Sequence, residues 1–306
     1  MTSCKRSLSE TEIAELVSAE GGNLETLERL RERGCLFDES TCAVAAYGGH
    51  IGALEWLRKN GCPFDINTSA AAAQGGHLET LKWLCENGCP CCEHACELAA
   101  ESGHIHVLEW LRDRGLRFDD ETCACAAEGG HLDVIKWLRD NDCCFDSIAC
   151  GAAAQGGHMD ILLWLREEGY TFDSDTCASA AYGGQIELLK WLRENGCPFD
   201  SAACAYAARA GRLEVLKWLR QNGYPWDEST CAYAAIGGHI DVLKWARQNG
   251  CPWDEGTCHS AASAGHLEVL KWVRENGCPL TELTCSSAAL FCRQDCLEWA
   301  RANACA

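Results

Sequence analysis

The residues of this chain with the widest chemical potential are its 25 cysteines and 10 histidines. They are densest in the segment CPCCEHAC, residues 89–96. Thiolate sulfur and imidazole nitrogen are the ligands that zinc and other soft ions prefer. The candidate metal ligands in this segment are Cys89, Cys91, Cys92, His94 and Cys96. Their spacing matches no standard zinc pattern, so we interpret the segment as part of a cysteine-rich framework. A metal- or redox-responsive protein remains the alternative.

Most of the cysteines, including Cys89 and Cys96, recur at two fixed positions. One position holds Cys42, Cys96, Cys123, Cys150, Cys177, Cys204, Cys231, Cys258 and Cys285. The other holds Cys35, Cys62, Cys89, Cys143, Cys197, Cys251, Cys278 and Cys305. Leu or Tyr replaces Cys at the second position in three places, which neither a metal ligand nor a disulfide partner would allow. Equivalent residues of stacked units lie roughly 8–10 Å apart, beyond disulfide reach. We therefore expect small, buried, reduced thiols and no bound cofactor.

The histidines recur in the tripeptide GGH and argue against a catalytic role. Gln185 and Arg212 replace the histidine in two of the repeats, so the position serves the framework and not shared chemistry. The chain has no P-loop, no HExxH zinc motif and no GxSxG nucleophile motif. These observations predict a protein that is not an enzyme.

A repeat of 27 residues positions all of these side chains. It is clearest in the tryptophans, at Trp56, Trp83, Trp110, Trp137, Trp164, Trp191, Trp218, Trp245, Trp272 and Trp299. The same step divides the chain into eleven units. The pattern predicts an N-terminal tail over residues 1–13 and one repeat domain over 14–306, whose first unit is a degenerate cap and whose last is incomplete.

Each unit is predicted to contain two helices. In the unit that begins at Thr230, a first helix over 227–236 starts at the capping residue Asp227 and ends at paired glycines. A second helix over 239–249 carries apolar residues on one face. Such a hairpin buries its apolar faces only by stacking on its neighbours. The fold class expected is all-α, a curved helical-hairpin solenoid with little or no strand and with the first helices on the concave side.

The string TCAYAAIGGHIDVLKWARQNGCPWDE, residues 230–255, resembles the ankyrin repeat. Both helices and the GH junction align with that family, whose units have about 33 residues. The missing residues fall after PWDE, where the family has its β-hairpin finger. The chain is therefore similar to the short ankyrin-type repeat of expanded protist, algal and giant-virus families, in which Asp254 is expected to cap the next helix directly.

The resemblance implies a monomeric, non-enzymatic scaffold that binds a partner protein on its first helices. Side chains that vary between units are the candidates for contact, and they are Tyr182, Tyr206, Arg209, Tyr233, Ile236, Glu97, Glu101 and Glu128. The aromatic residues are expected to anchor the partner and the glutamates to attract a basic segment. A second alternative is the target-recognition part of a larger receptor or ubiquitin-ligase adaptor.

Charge and hydropathy limit the partners further. The formal net charge is −19, which opposes nucleic acid and anionic membranes because both carry negative charge themselves. No apolar run is long enough to cross a membrane, and the first residues, MTSCKRSLSE, lack the apolar core of a secretory signal. We expect a cytoplasmic or nuclear protein that is not secreted.

Overall fold

The computed structural model describes residues 23–143 and 147–304. Within these residues every regular element is a helix and none is a strand, as the repeat pattern predicted. The chain divides into two compact units between Ala149 and Cys150. The predicted tail over 1–13, the predicted start of the repeats at residue 14, and Cys305 lie outside the described residues. The prediction of a single repeat domain over 14–306 therefore stays a prediction.

The first unit contains nine described helices. They are α1 Leu24–Glu32, α2 Glu39–Tyr47, α3 Ile51–Lys59, α4 Ile66–Gln74, α5 Leu78–Glu86, α6 Glu93–Glu101, α7 Ile105–Asp113, α8 Asp120–Gly129 and α9 Leu132–Asp140.

Helix α10, Ser147–Gly156, contains the boundary between the units, and the second unit continues from it. Its further helices are α11 Met159–Glu167, α12 Ser174–Gly183, α13 Ile186–Glu194, α14 Ser201–Arg209, α15 Leu213–Gln221, α16 Glu228–Gly237, α17 Ile240–Gln248, α18 Glu255–Ala264, α19 Leu267–Glu275, α20 Glu282–Leu290 and α21 Gln294–Ala304. None of the described helices is long and apolar enough to cross a membrane.

Aspartates in the exit turns start the first helices. The Asp227 carboxylate accepts a hydrogen bond of 3.0 Å from the backbone N–H of Ser229. Asp254 caps the first helix of the next repeat in the same way, accepting from the N–H of Gly256 at 2.9 Å. An unpaired N–H at a helix start is satisfied in this way. The prediction that the exit-turn aspartate caps the following helix is confirmed, and no finger separates the two.

The core of each helical pair is built from small residues on the first helix and larger ones on the second. In α16, Cys231, Ala234 and Ala235 are fully buried. In α17, Val242 and Leu243 are fully buried. Within each unit of the chain the first helices of successive repeats pack against one another. The small side chains allow this close approach, so any large side chain on the packed helices must extend to the surface.

The recurring GGH position links each repeat to the one before it. The Nε2 atom of His266 donates to the backbone carbonyl of Ile236 at 3.0 Å. Where the histidine is replaced, Gln185 donates to the carbonyl of Gln155 at 3.3 Å and Arg212 donates to that of Tyr182 at 3.1 Å. All three side chains satisfy a carbonyl oxygen near the end of a first helix. The structural interpretation of the GGH histidine is confirmed at these positions.

Candidate protein-binding surface on the first helices

Five of the predicted contact residues lie on successive first helices in the second unit. We call Tyr182, Tyr206, Arg209, Tyr233 and Ile236 the aromatic patch. They come from the first helices of three successive repeats, α12, α14 and α16. The structure brings the three tyrosine rings and Arg209 into contact, and Ile236 lies on α16 three residues after Tyr233.

The rings of the aromatic patch contact one another in series. The centroids of Tyr182 and Tyr206 are 6.3 Å apart with nearly perpendicular planes, and those of Tyr206 and Tyr233 are 5.7 Å apart. The Arg209 guanidinium lies over the Tyr233 ring, with its carbon 5.8 Å from the ring centroid. These are the separations at which aromatic pairs and cation–π pairs attract. Each ring is therefore held in place by its neighbour.

The patch lies at the surface because the helices beneath it are too close together to admit it. Ala205, Ala207 and Ala208 surround Tyr206 in sequence and are almost completely buried in the stack. The three tyrosines and Ile236 are half-buried, whereas Arg209 is exposed. A half-buried tyrosine presents a rigid apolar ring and a hydroxyl to solvent. Such side chains lose little conformational entropy when a partner covers them.

The other three predicted contact residues form an acidic segment in the first unit. We use this name for Glu97, Glu101 and Glu128. Glu101 and Glu128 are exposed, while half-buried Glu97 accepts from His94 Nδ1 at 2.9 Å.

The charge of the acidic segment acts on a thiol of the same surface. Burial, and then the negative charges of Glu121 and of all three glutamates in the segment, raise the pKa of the Cys125 thiol to about 12. A carboxylate near an ionising thiol disfavours its anion. The carboxylates therefore create a negative electrostatic potential around Cys125, which would attract a cationic group of a partner.

The five candidate metal ligands of residues 89–96 do not converge. The Cys89 thiol donates to the backbone carbonyl of Asp65 at 3.1 Å, and Cys96 is fully buried. Cys92 is the N-cap of α6 without a capping hydrogen bond, and His94 pairs with Glu97. Among residues 23–143 and 147–304, no group of three or more His, Cys, Asp and Glu is arranged to hold a metal ion.

Pairs of cysteines within one repeat are a feature that sequence reasoning missed. The Sγ atoms are 2.6 Å apart in Cys42 and Cys62, and also in Cys177 and Cys197. The Cys251 and Cys278 thiols donate to the backbone carbonyls of Asp227 at 3.5 Å and Asp254 at 3.1 Å. The partner thiol and burial raise the pKa of Cys42 and of Cys177 far above the ordinary range. Comparing equivalent positions of successive repeats could not reveal these pairs, because each pair joins two different positions of the same repeat.

Cys123 and Cys143 form another close pair within one repeat, with their Cα atoms 7.3 Å apart. This separation exceeds the roughly 7 Å that a disulfide spans without backbone movement. The expectation of reduced framework thiols therefore stays a prediction at this pair. The pair arises because the start of the first helix and the exit turn of the same repeat pack together.

Contacts between arginine and aromatic side chains in the exit turns were also missed. Arg220 lies over the Trp226 ring at 4.2 Å, and Arg247 lies over the Trp253 ring at 4.1 Å. In an earlier repeat Arg58 lies over Phe64 at 5.8 Å. We call these two positions, six residues apart, the exit-turn pair. The constant spacing of Arg and aromatic residues in the sequence was the signal that could have revealed it.

Comparison with known proteins agrees with the architecture. The family model described as ankyrin repeats (many copies) matches residues 204–247 and 231–274. These ranges contain α16 and most of α14, the two helices that carry Tyr206, Arg209, Tyr233 and Ile236. No curated protein sequence matches the chain. Over residues 204–274 the chain is therefore similar to ankyrin repeats, and the helix pairs without strands in the described residues fit that similarity.

Proposed function

We propose that this chain is a non-enzymatic scaffold that binds a partner protein through the aromatic patch. Ankyrin repeats are in general protein–protein interaction modules, and this chain shares their paired helices. The observation that carries the proposal is the run of contacts from Tyr182 through Tyr206 to Tyr233, with Arg209 on the last ring. Tyr and Arg are enriched among the residues that dominate binding energy at interfaces.

The chemistry of the patch specifies the kind of partner. Half-buried rings offer apolar area for an aromatic or aliphatic anchor, and the Arg209 guanidinium offers donors to a carbonyl or carboxylate beside that anchor. The acidic segment supports a second requirement, a basic stretch in the partner. Carboxylates that face solvent accelerate the association of a cationic partner more than they strengthen the final complex.

The packing of the fold supports a role for the patch in binding and not in stability. The fully buried residues of α14 and α16 are alanines and cysteines, which pack the helices without help from the tyrosine rings. Removing a ring from the surface leaves that packing in place. Truncation of a patch residue should therefore weaken binding while leaving the melting temperature nearly unchanged.

An affinity pull-down from the native host tests the proposal when it is run with matched variants. Tyr206→Ala and Arg209→Ala remove members of the patch. Tyr47→Ala is the control, because Tyr47 ends the first helix α2 just as Tyr182 lies near the end of α12, yet it belongs to the other compact unit. Quantitative mass spectrometry should find proteins that wild type and Tyr47→Ala retain and that both patch variants lose.

The same variants separate binding from folding. Each alanine in the patch should weaken the complex by about 1–2 kcal/mol, roughly five- to thirtyfold in Kd. A fall in melting temperature of Tyr206→Ala that accounts for its lost binding would show that the rings are packing residues. Equal retention of every protein by all variants would also contradict the proposal.

A further inference from the structure

Two cavities of the second unit have the same lining and lie one repeat apart. The first has a volume of about 430 Å³ and is lined by Lys217, Arg220, Gln221, Trp226, Trp245 and Asn249. The second has a volume of about 280 Å³, and each lining residue, from Lys244 to Asn276, lies 27 residues further along the chain. Second helices contribute to both, α15 and α17 to the first, α17 and α19 to the second. The cavities therefore belong to a different surface from the aromatic patch, which first helices carry.

The two repeats that supply the cations of these cavities differ from the others at two positions. The residue after the exit-turn arginine is an acid in most repeats, such as Asp113, but here it is Gln221 or Gln248. The aromatic residue of the exit-turn pair is Phe in most repeats, but here it is Trp226 or Trp253. These are the two tryptophans outside the 27-residue series. A negative charge has thus been lost and aromatic area gained, together, in two adjacent repeats.

In other repeats the arginine bridges to the next repeat. Arg112 Nη1 donates to Asn141 Oδ1 at 2.6 Å, and Arg193 donates to Asn222 in the same way. Arg112 also forms an ion pair of 3.3 Å with the acid that follows it, Asp113. The arginine there connects two repeats and is neutralised by its own neighbour.

Arg220 and Arg247 turn back onto their own exit turns instead. They donate to the backbone carbonyls of Tyr224 and Cys251, four residues ahead in each case. No side chain of the described residues donates to the Oδ1 atom of the next repeat's asparagine, Asn249 or Asn276, whose amide nitrogens donate to backbone carbonyls. Because the arginine no longer bridges the two repeats, the space between them stays open as a cavity.

Both cavities are basic in a chain whose net charge is −19. Lys217 pairs with Glu214 at 2.7 Å, but no carboxylate of the described residues pairs with Arg220, Arg247 or Lys244. The Lys244 ammonium lies 6.0 Å from the centroid of the Trp272 ring. A cation held over a ring by its face keeps N–H donors available for a carboxylate.

The spacing of the cavities selects the conformation of a ligand. Equivalent points of neighbouring repeats are roughly 8–10 Å apart. A polyproline II helix has three residues per turn and rises about 3.1 Å per residue, so side chains three residues apart point the same way about 9 Å apart. A β-strand would direct them to opposite faces. Aromatic-lined grooves also accept proline-rich segments in this conformation.

We propose that the two cavities bind an acidic segment of a partner protein in the polyproline II conformation, with one carboxylate in each cavity. The carboxylates accept from Arg220 and Arg247, the prolines between them pack on the tryptophan rings, and backbone N–H groups can donate to Asn249 or Asn276. This surface is separate from the aromatic patch, so the two binding sites are tested independently.

The test is a nuclear magnetic resonance titration of the ¹⁵N-labelled full chain with the acetylated and amidated peptide PEPPEPP. The indole N–H signals report binding, and single Trp→Phe variants assign them. We expect the peptide to shift the signals of Trp226, Trp245, Trp253 and Trp272, whereas those of Trp56 and Trp83 stay in place. Added salt should reduce the affinity, because exposed charges are screened.

Matched variants test the role of the cations. Arg247→Gln and Arg274→Gln remove the same charge at the same position of adjacent repeats, but Arg274 lines neither cavity. Arg247→Gln should raise Kd at least about tenfold and Arg274→Gln less than about twofold. The double variant Gln221→Glu/Gln248→Glu restores the acids of other repeats at exposed positions. It should keep the melting temperature and abolish the shifts.

Control peptides test the charge and its spacing. PQPPQPP lacks the carboxylates and should cause no shifts. PEEPPPP has adjacent carboxylates that cannot occupy both cavities, so it should bind at least about fivefold more weakly.

Four results would overturn the proposal. They are unmoved signals of all four tryptophans at the cavities, equal binding of PQPPQPP, equal binding of PEEPPPP, and equal losses in Arg247→Gln and Arg274→Gln.

Discussion

The first helices of the acidic segment and those of the aromatic patch have the same backbone and opposite surfaces. Glu101 and Glu128 occupy the position that Tyr182, Arg209 and Ile236 occupy in later repeats. Beneath both surfaces the buried residues are alanine, threonine and cysteine in the same order. The fold therefore dictates the buried positions and leaves the surface ones free. A difference between repeats at a free position has no structural cause, so it is informative about binding.

The largest expected effect comes from glycines of the buried framework. It tests whether the helices beneath the acidic segment and those beneath the aromatic patch are packed equally tightly. An added Cβ at Gly129 would lie 2.0 Å from the carbonyl oxygen of Glu101, and one at Gly183 would lie 2.0 Å from that of Gln155. Each clash is with backbone of the preceding repeat, which cannot move aside. We expect Gly129→Ala and Gly183→Ala each to lower the free energy of unfolding by about 3 kcal/mol.

A third glycine provides the control for these two substitutions. Gly52 lies in α3 with no atom within 4 Å of an added Cβ. Gly52→Ala should raise the free energy of unfolding by about 0.5–1 kcal/mol, because alanine favours the helix. Denaturant titrations compare the three. Losses at Gly129 and Gly183 that differ by more than about 2 kcal/mol would break the equivalence of the two regions.

A smaller change in the free energy of unfolding is expected from the exit-turn residues that cap the first helices. Asp119 caps α8 by accepting from the N–H of Thr122 at 3.0 Å, whereas Cys92 makes no capping hydrogen bond to α6. Cys92→Asp should therefore raise the free energy of unfolding by about 1 kcal/mol at neutral pH. Asp119→Ala should lower it by a similar amount. Thermal denaturation of both variants measures the two changes.

The pH dependence of the cap has a definite sign. The backbone hydrogen bond from Thr122 lowers the pKa of Asp119 below its ordinary value. Because the folded pKa is the lower one, the cap stabilises the fold above the unfolded pKa of about 3.9 and is lost as the pH falls through the folded pKa. The gain from Cys92→Asp should accordingly be present at neutral pH and vanish in strong acid. A gain that is unchanged in acid would exclude a capping carboxylate.

Much of the architecture was predictable because repetition averages out local ambiguity. For the repeat at Thr230, the predicted first helix over 227–236 is observed as α16, which Asp227 caps, and the predicted second helix over 239–249 is observed as α17. The role of the GGH position followed from its replacements, since His, Gln and Arg share only the ability to donate a hydrogen bond.

The thiol pairs were not predictable by the same argument. Periodicity compares one repeat with the next, but Cys42 and Cys62 meet within one repeat, where only the folded exit turn brings them together. The lowered pKa of the Cys85 thiol, about 7 and caused first by Cys91 and then by Arg114, was missed because Cys85 lies outside the dense segment 89–96.

The smallest effect concerns the acidic segment. Glu101→Gln removes one of the charges that raise the pKa of Cys125, so the Cys125 thiolate should become more abundant. Its alkylation rate in the folded protein should increase by about threefold, and added salt should reduce the difference. Tyr206→Ala, a change in the other region, should leave that rate unaltered. An unchanged rate in Glu101→Gln would show that this carboxylate does not act on the surface around Cys125.

We propose that the aromatic patch binds a partner protein, whereas the buried residues beneath it only stabilise the fold. Calorimetric titration with a partner recovered by the pull-down tests this proposal on wild type, Tyr206→Ala and Tyr47→Ala. The melting temperatures of the three proteins are measured first and should be equal. We predict a five- to thirtyfold larger Kd for Tyr206→Ala, about 1–2 kcal/mol, and no change for Tyr47→Ala. Equal Kd values for all three proteins would contradict the account.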